Sequence, residues 1–176
     1  MVDSCWSDTE GSELHQGDYL PSIHVPLFRT PFDDQKPTIG AEAESPTEVQ
    51  EKDVIVVSQT CDLVQEKIRF VALCPVETIA ELEKQQPAMA KAWNEIKKGR
   101  REGLHLLAPC KDPSNYKDAL IVDFREIISL PCGYVERHAH QCGRRYRLKS
   151  PFLEHFSQAF GKFYMRVALP EFVTLP

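Results

Sequence analysis

Asp53-Val54-Ile55-Val56-Val57-Ser58 is the stretch that decides how the rest of the chain reads. Its four central residues are all β-branched, stiff at χ1 and suited to extended backbone. They do not alternate with polar residues, so the segment predicts a strand buried on both faces, in the middle of a sheet. Ile68-Arg69-Phe70-Val71-Ala72-Leu73 is a second apolar run, separated from the first by a short polar segment. Strands this close in sequence are most simply antiparallel neighbours. On the upstream side, Ile23, Val25 and Leu27 alternate with other residues, which is the strand period. Pro21 and Pro26 cannot donate to a ladder, so this strand belongs at an edge or is split in two.

Further downstream, residues 76–99 carry Ile79, Leu82, Met89, Trp93 and Ile96 at helical spacing. Pro87 divides the stripe into two helices or one kinked helix. Lys97, Lys98, Arg100 and Arg101 close it, where the helix dipole favours cations. The helical insertion therefore extends over 76–101. Leu104–Ala108, Ala119–Phe124, Ile127–Leu130 and Arg145–Leu148 read as further short strands. Ser150-Pro151 predicts the start of a last helix, with serine as N-cap and proline in the first turn. Phe152, Phe156, Phe160, Phe163, Tyr164 and Val167 form its apolar stripe, with His155, Gln158 and Lys162 opposite. Strands in adjacent pairs, rather than alternating singly with helices, argue for an antiparallel α+β arrangement. Short strands in this number curl readily into a small barrel.

The length of 176 residues suits one domain. Hydrophobic residues at 42% and charged residues at 27% exclude a wholly disordered or fibrous chain. No apolar run is long enough to cross a bilayer as a helix, and the acidic first thirty residues lack the pattern of a secretory signal. The expectation is a cytoplasmic protein with no membrane association. Residues 1–16 read as a flexible acidic lead-in, 17–176 as a single domain, and 29–51, with Pro31, Pro37, Pro46 and Gly40, as a long loop. Charge is uneven: residues 1–51 hold 11 acidic and 2 basic side chains, residues 52–176 hold 15 and 19. The acidic leader and the mildly basic body can attract each other, and the body is also compatible with nucleic acid.

Three clusters carry candidate chemistry. The first is Ser58-Gln59-Thr60-Cys61-Asp62, where a buried strand runs into hydrogen-bonding side chains. Rigid strand ends present functional groups well. Cys61 is a candidate nucleophile if a base such as His105 or His155 reaches it, and Asp62 can orient a histidine or accept a guanidinium. The alternative is a structural turn, because such side chains also bond neighbouring backbone groups. The second cluster is Cys132, His138, His140 and Cys142. Zinc accepts four N/S ligands, but the spacing C-x5-H-x-H-x-C matches no common zinc motif, so an exposed polar connection without metal is expected. The third is Arg144, Arg145, Arg147 and Arg166, with Lys149 and Lys162, a candidate phosphate-binding face whose alternative is pairing with the acidic leader. Six cysteines without a C-x-x-C or a secretory signal are expected as free thiols. No cofactor is implied.

The segment Val56-Val57-Ser58-Gln59-Thr60-Cys61-Asp62-Leu63, the strand ending Ala72-Leu73-Cys74-Pro75-Val76, and Leu120-Ile121-Val122-Asp123-Phe124 resemble a set of uncharacterised bacterial proteins with V-V-S-Q-[ST]-C-D-[LI]. The resemblance spans about residues 17–75 and 118–170 and includes the Gly17-Asp18 opening; it implies no activity. A looser similarity is to the MazF/PemK toxins, RNA-cleaving SH3-like barrels that also open on a Gly-Asp strand. This chain lacks their Arg-rich opening loop, and no catalytic residue carries over. Together these readings predict an α+β domain with a small antiparallel, SH3-like curled sheet or barrel. The function expected first is a non-catalytic binding or regulatory module of a bacterial cytoplasmic system, its partner another protein and its site at 58–62 under the 29–51 loop. The alternative is a toxin-type RNase or a Cys61-dependent hydrolase.

Overall fold

A computed structural model of the chain describes residues 5–28, 47–91, 93–109 and 118–165. Eight strands and five α-helices are present among them. The strands are β1 (Trp6–Thr9), β2 (Asp18–Phe28), β3 (Thr47–Val56), β4 (Phe70–Thr78), β5 (Leu104–Leu107), β6 (Leu120–Asp123), β7 (Ile128–Pro131) and β8 (Arg145–Leu148). The helices are α1 (Thr60–Val64), α2 (Ile79–Gln85), α3 (Trp93–Lys97), α4 (Cys132–Cys142) and α5 (Phe152–Tyr164), with a 3-10 turn at Pro87–Lys91.

The strands form one sheet in the order β1-β8-β2-β3-β4-β6-β5, with β7 beside β4, and every pairing is antiparallel. β3 and β4 are neighbours, with Ile55 opposite Cys74. Val54, Ile55, Val56 and Val57 are all buried, as their continuous apolar run requires. Val54 and Val56 face one apolar cluster with Leu20, Ile23, Val25, Val71 and Leu73, covered by Val135 and Ala139 of α4. Ile55 and Val57 face the other, with Trp6, Val122, Phe124 and Phe156 of α5. A third cluster joins Ile79, Leu82, Met89 and Ile96 of the helical insertion to Leu104 and Ile121 of β5 and β6. The α+β class, the antiparallel sheet, the helical insertion and the packed C-terminal helix are thus present.

The sheet is open: β1 and β5 are its ends, and no strand ladder among the described residues joins them. It is curled enough that the Trp6 indole N–H donates to the Ala108 carbonyl just beyond β5, at 2.9 Å. The side chain, not backbone pairing, bridges the two ends.

Several segments differ from the sequence expectation. The acidic lead-in is not free: Trp6–Thr9 pairs with β8 as an edge strand, and Cys5, Trp6 and Leu14 are buried. The 29–51 loop is shorter at its end, because Thr47–Glu51 continue β3 against β2; residues 29–46 lie outside the described residues. Pro26 sits in the part of β2 that pairs with β3 alone, while β8 reaches only Asp18 and Tyr19. One side of β2 is therefore an edge there, where proline is tolerated. Pro21 lies in a bulge between Leu20 and Ile23, where Ser22 takes a φ of 54° and its N–H donates to Asp53 Oδ1 at 2.8 Å. The insertion's helices start at Ile79 rather than 76, because β4 runs on to Thr78. Thr78 and Glu81 form a reciprocal capping box there. At α5 the N-cap is Pro151 with no side-chain cap, so Ser150 does not play the role its position suggests.

Phe156 is fully buried and contacts Phe124, whereas Phe160 is half-buried at the margin of the same cluster. Phe156→Ala should cost about 3–5 kcal/mol from lost transfer energy plus the cavity. Phe160→Ala should cost less, and Gln158→Ala on the exposed face should stay within about 0.5 kcal/mol of the parent. Urea melts of the three variants check the ranking; equal stability of Phe156→Ala and the parent would contradict the core assignment.

Candidate functional site

Where β3 ends, Val57 N–H donates to the Ala72 carbonyl at 3.0 Å, and Ser58 Oγ accepts from Ala72 N–H at 2.8 Å. The serine hydroxyl thus stands in for a backbone partner as the ladder stops. The chain then turns into α1, with Gln59 as N-cap in extended conformation and no side-chain cap. Thr60 Oγ1 accepts from Gln16 N–H at 3.1 Å. The Gln16 amide donates to the Val57 carbonyl at 2.9 Å, and its oxygen accepts from Ser157 of α5 at 2.8 Å. One glutamine therefore joins the end of β3, α1 and α5. Ser58 and Thr60 are structural in this arrangement.

Gln59 and Cys61 are exposed, and Asp62 is half-buried. Cys61 Sγ lies 3.6 Å from Gln59 Oε1 and 3.7 Å from Asp62 Oδ1. Both are acceptor oxygens, so the thiol is the donor. The Asp62 backbone carbonyl accepts from Lys67 N–H at 2.9 Å, closing the turn back toward β4. Two exposed apolar side chains, Val64 and Phe70, lie on the same connection, each with more than half of its surface open.

Neither histidine named as a possible base bonds to Cys61. His105 is stacked on Phe124, with ring centroids 5.7 Å apart, and meets Phe156 edge-on. Burial, with a smaller contribution from His155, pushes His105 down to about 4. His155 is exposed on α5. The other thiols divide by depth: Cys5 and Cys74 are buried, Cys132 and Cys142 half-buried, and all five described cysteines are free. Burial, then the nearby Asp123 and Glu126 carboxylates, push the Cys74 thiol up to about 12. Cys110 lies outside the described residues.

Cys132, His138, His140 and Cys142 do not form an exposed connection; they lie on α4. Cys132 Sγ donates to the Ile68 carbonyl at 3.2 Å, at one end of the helix. At the other end, His138 Nε2 lies 2.8 Å from the Pro21 carbonyl and 3.3 Å from Cys142 Sγ. The Pro21 oxygen can only accept, so Nε2 carries the proton. His140 is exposed. The four side chains do not converge, and no cluster able to hold a metal occurs among the described residues.

The arginines meet carboxylates. Arg145 is buried, its guanidinium donating to the Gly11 and Glu13 carbonyls at 2.6 Å each and to Asp18 Oδ2 at 3.4 Å. Arg147 binds Asp18 in a fork, through Nε to Oδ1 and through Nη2 to Oδ2 at 2.9 Å. Asp18 also accepts from His15 N–H at 3.1 Å and is wholly buried. Arg144 pairs with Asp8 on the surface, holding that carboxyl below the usual carboxylate range. These side chains thus clamp the acidic leader to β8, the second of the two readings their pattern allows. Arg166 lies outside the described residues. The signal for the clamp was in the sequence: a Gly-Asp pair opening one strand, and arginines at alternate positions of another.

Asp18→Asn should destabilise the fold by about 3–5 kcal/mol, because it leaves Arg145 buried without its counter-charge. Arg144→Ala should leave stability nearly unchanged, since its pair is exposed. Thermal melts of both variants check this. His105 gives a pH prediction. Its folded value lies below its unfolded one of 6.5, so the unfolded chain binds the extra proton between about pH 6.5 and 4. Stability should fall as pH drops through that window, and less steeply in His105→Phe. Compared with protein-family models, curated proteins and solved structures, the chain matches none.

Proposed function

We propose that the chain is a non-catalytic binding module whose contact surface is the α1 corner, and that its partner is another protein. The observation that carries this reading is the division of labour at that corner. Ser58 and Thr60 spend their hydroxyls on the scaffold, while Gln59, Cys61, Val64 and Phe70 are presented to solvent. Exposed aliphatic and aromatic side chains beside an exposed amide and thiol, bonded among the described residues only to each other and to Asp62, supply the apolar centre and polar margin that protein contacts use. Nucleophilic catalysis by Cys61 would need a base or a positive field beside the sulfur. Its neighbours are instead an amide oxygen and a carboxylate oxygen. The bacterial setting rests on the resemblance of residues 17–75 and 118–170, and the cytoplasmic one on the sequence pattern of the first thirty residues.

Two measurements test the reading. Under native conditions near neutral pH, iodoacetamide should modify Cys61 ahead of the four other described thiols, at the rate of an ordinary exposed cysteine. A rate faster by about a hundredfold would indicate an activated thiolate and favour the hydrolase alternative. For binding, a partner captured by the intact chain should be purified and titrated against Phe70→Ser. The variant should keep the parent's melting temperature and weaken the complex by at least about tenfold, the loss of a contact worth about 1.4 kcal/mol. An unchanged affinity would place the contact surface elsewhere.

A further inference from the structure

The segment entering β5 and the C-terminal half of α5 enclose a cleft of about 330 Å³. Its apolar wall is the half-buried Phe163 ring, backed by the buried Phe124, and His105 lines it as well. Arg100, Arg101 and Lys162 line the same cleft. Arg101 and Lys162 have no ion-pair partner among the described residues, and Arg100 is held only at 3.6 Å by Glu95. Glu102 is the one acidic side chain in the lining, so the cleft is net positive. The His105 imidazole has no hydrogen-bond partner among the described residues.

The cleft is built into the backbone. Gly103 takes a φ of +82°, and a Cβ there would fall 2.6 Å from Arg125 Cγ and 3.1 Å from Phe163 Cε2. Only glycine lets the chain turn this closely past the Phe163 ring. Phe124 is fixed in turn, since its carbonyl accepts from the Tyr164 hydroxyl at 2.6 Å and its ring is stacked against His105. Cations on flexible stems thus surround a rigid, ring-lined floor.

We propose that this cleft binds a small organic phosphate that carries a planar ring, the size and chemistry of a nucleoside monophosphate. Clefts of this volume take one small molecule. The three cations suit a dianionic phosphate, arginine through its forked donors and lysine as a point charge. The half-buried Phe163 ring suits the edge or part of the face of a base. His105 is neutral near pH 7 and offers one donor and one acceptor to polar edges of the ligand. The site is separate from the α1 corner and does not depend on the reading given for it.

Isothermal titration of the full chain with AMP, inorganic phosphate and adenosine tests the proposal. AMP should bind at least about tenfold more tightly than either fragment, because only AMP engages both the cations and the rings. Lys162→Ala and Arg101→Ala should each weaken AMP by about fivefold or more without lowering the melting temperature. AMP should also perturb the His105 ring resonances and leave those of His24 and His140 in place. No AMP binding at millimolar concentration would overturn the proposal. So would adenosine or phosphate binding as tightly as AMP, or unchanged affinity in both variants. Binding of a single-stranded oligonucleotide without binding of AMP would overturn it in favour of a polymer surface.

Discussion

The Asp18 carboxylate sits at the start of β2 with no access to water, and the surrounding fold is arranged around the need to compensate it. Two guanidiniums answer that need from alternate positions of β8, so both project to the same side of the strand. The register places Arg147 directly opposite Asp18. Arg145 then turns the same compensation outward, gathering the carbonyls of Gly11 and Glu13 and drawing the N-terminal segment over the strand. Once that segment is held, Trp6–Thr9 can add to β8, and Trp6 can reach the far end of the sheet at Ala108. A buried ion pair is an uncertain source of net stability, because desolvation offsets much of the attraction. Its contribution here is to specify which segment lies where.

The same strand start positions the α1 corner. Gly17 takes a φ of +85°, and a Cβ there would meet Leu153 at 2.9 Å and Leu148 at 3.0 Å. The close approach of α5 and β8 is possible only because the residue is glycine. Gln16 is thereby left between β3, α1 and α5, where its side-chain amide bonds to Val57 and Ser157 and its backbone N–H to Thr60. The exposed corner with Cys61 is thus carried on a frame fixed by Gly17 and Asp18. The cleft at the opposite end of α5 depends instead on Gly103 and the Phe124 ring.

What the sequence made legible follows from how strongly each segment's neighbours dictate its side chains. Val54–Val56 at the end of β3 are buried on both faces, so every residue there had to be apolar and that part of the strand was plain, whereas its polar first half, Thr47–Glu51, read as loop. The aromatic stripe of α5 and the paired strands were equally clear, for the same reason. β1 was hidden because only Trp6 of its four residues is buried; Ser7, Asp8 and Thr9 read as polar linker. α4 was hidden because its buried face consists of Val135 and Ala139 alone, while thiols and imidazoles occupy the rest. Two apolar side chains one turn apart do not establish a period, and the ligand-rich composition drew attention to metal chemistry instead. At the candidate site, residue types alone could not separate hydroxyls spent on the scaffold from groups presented to solvent. Ser58 and Thr60 proved to be the former, and Gln16, which bonds Val57 and Thr60, carried no signal of its own.

Native-state hydrogen exchange on Asp18→Asn tests the central role of this carboxylate most directly. The amides of Trp6, Gln16 and Gly17 should lose protection selectively in the variant, together with those of Tyr146 and Leu148. Ile55 and Val56, whose ladder to β4 does not involve Asp18, should keep protection that falls only in step with global stability. Unchanged protection of residues 6–17, or a uniform loss across β1 and β3 alike, would contradict the claim that Asp18 holds the N-terminal segment on the sheet.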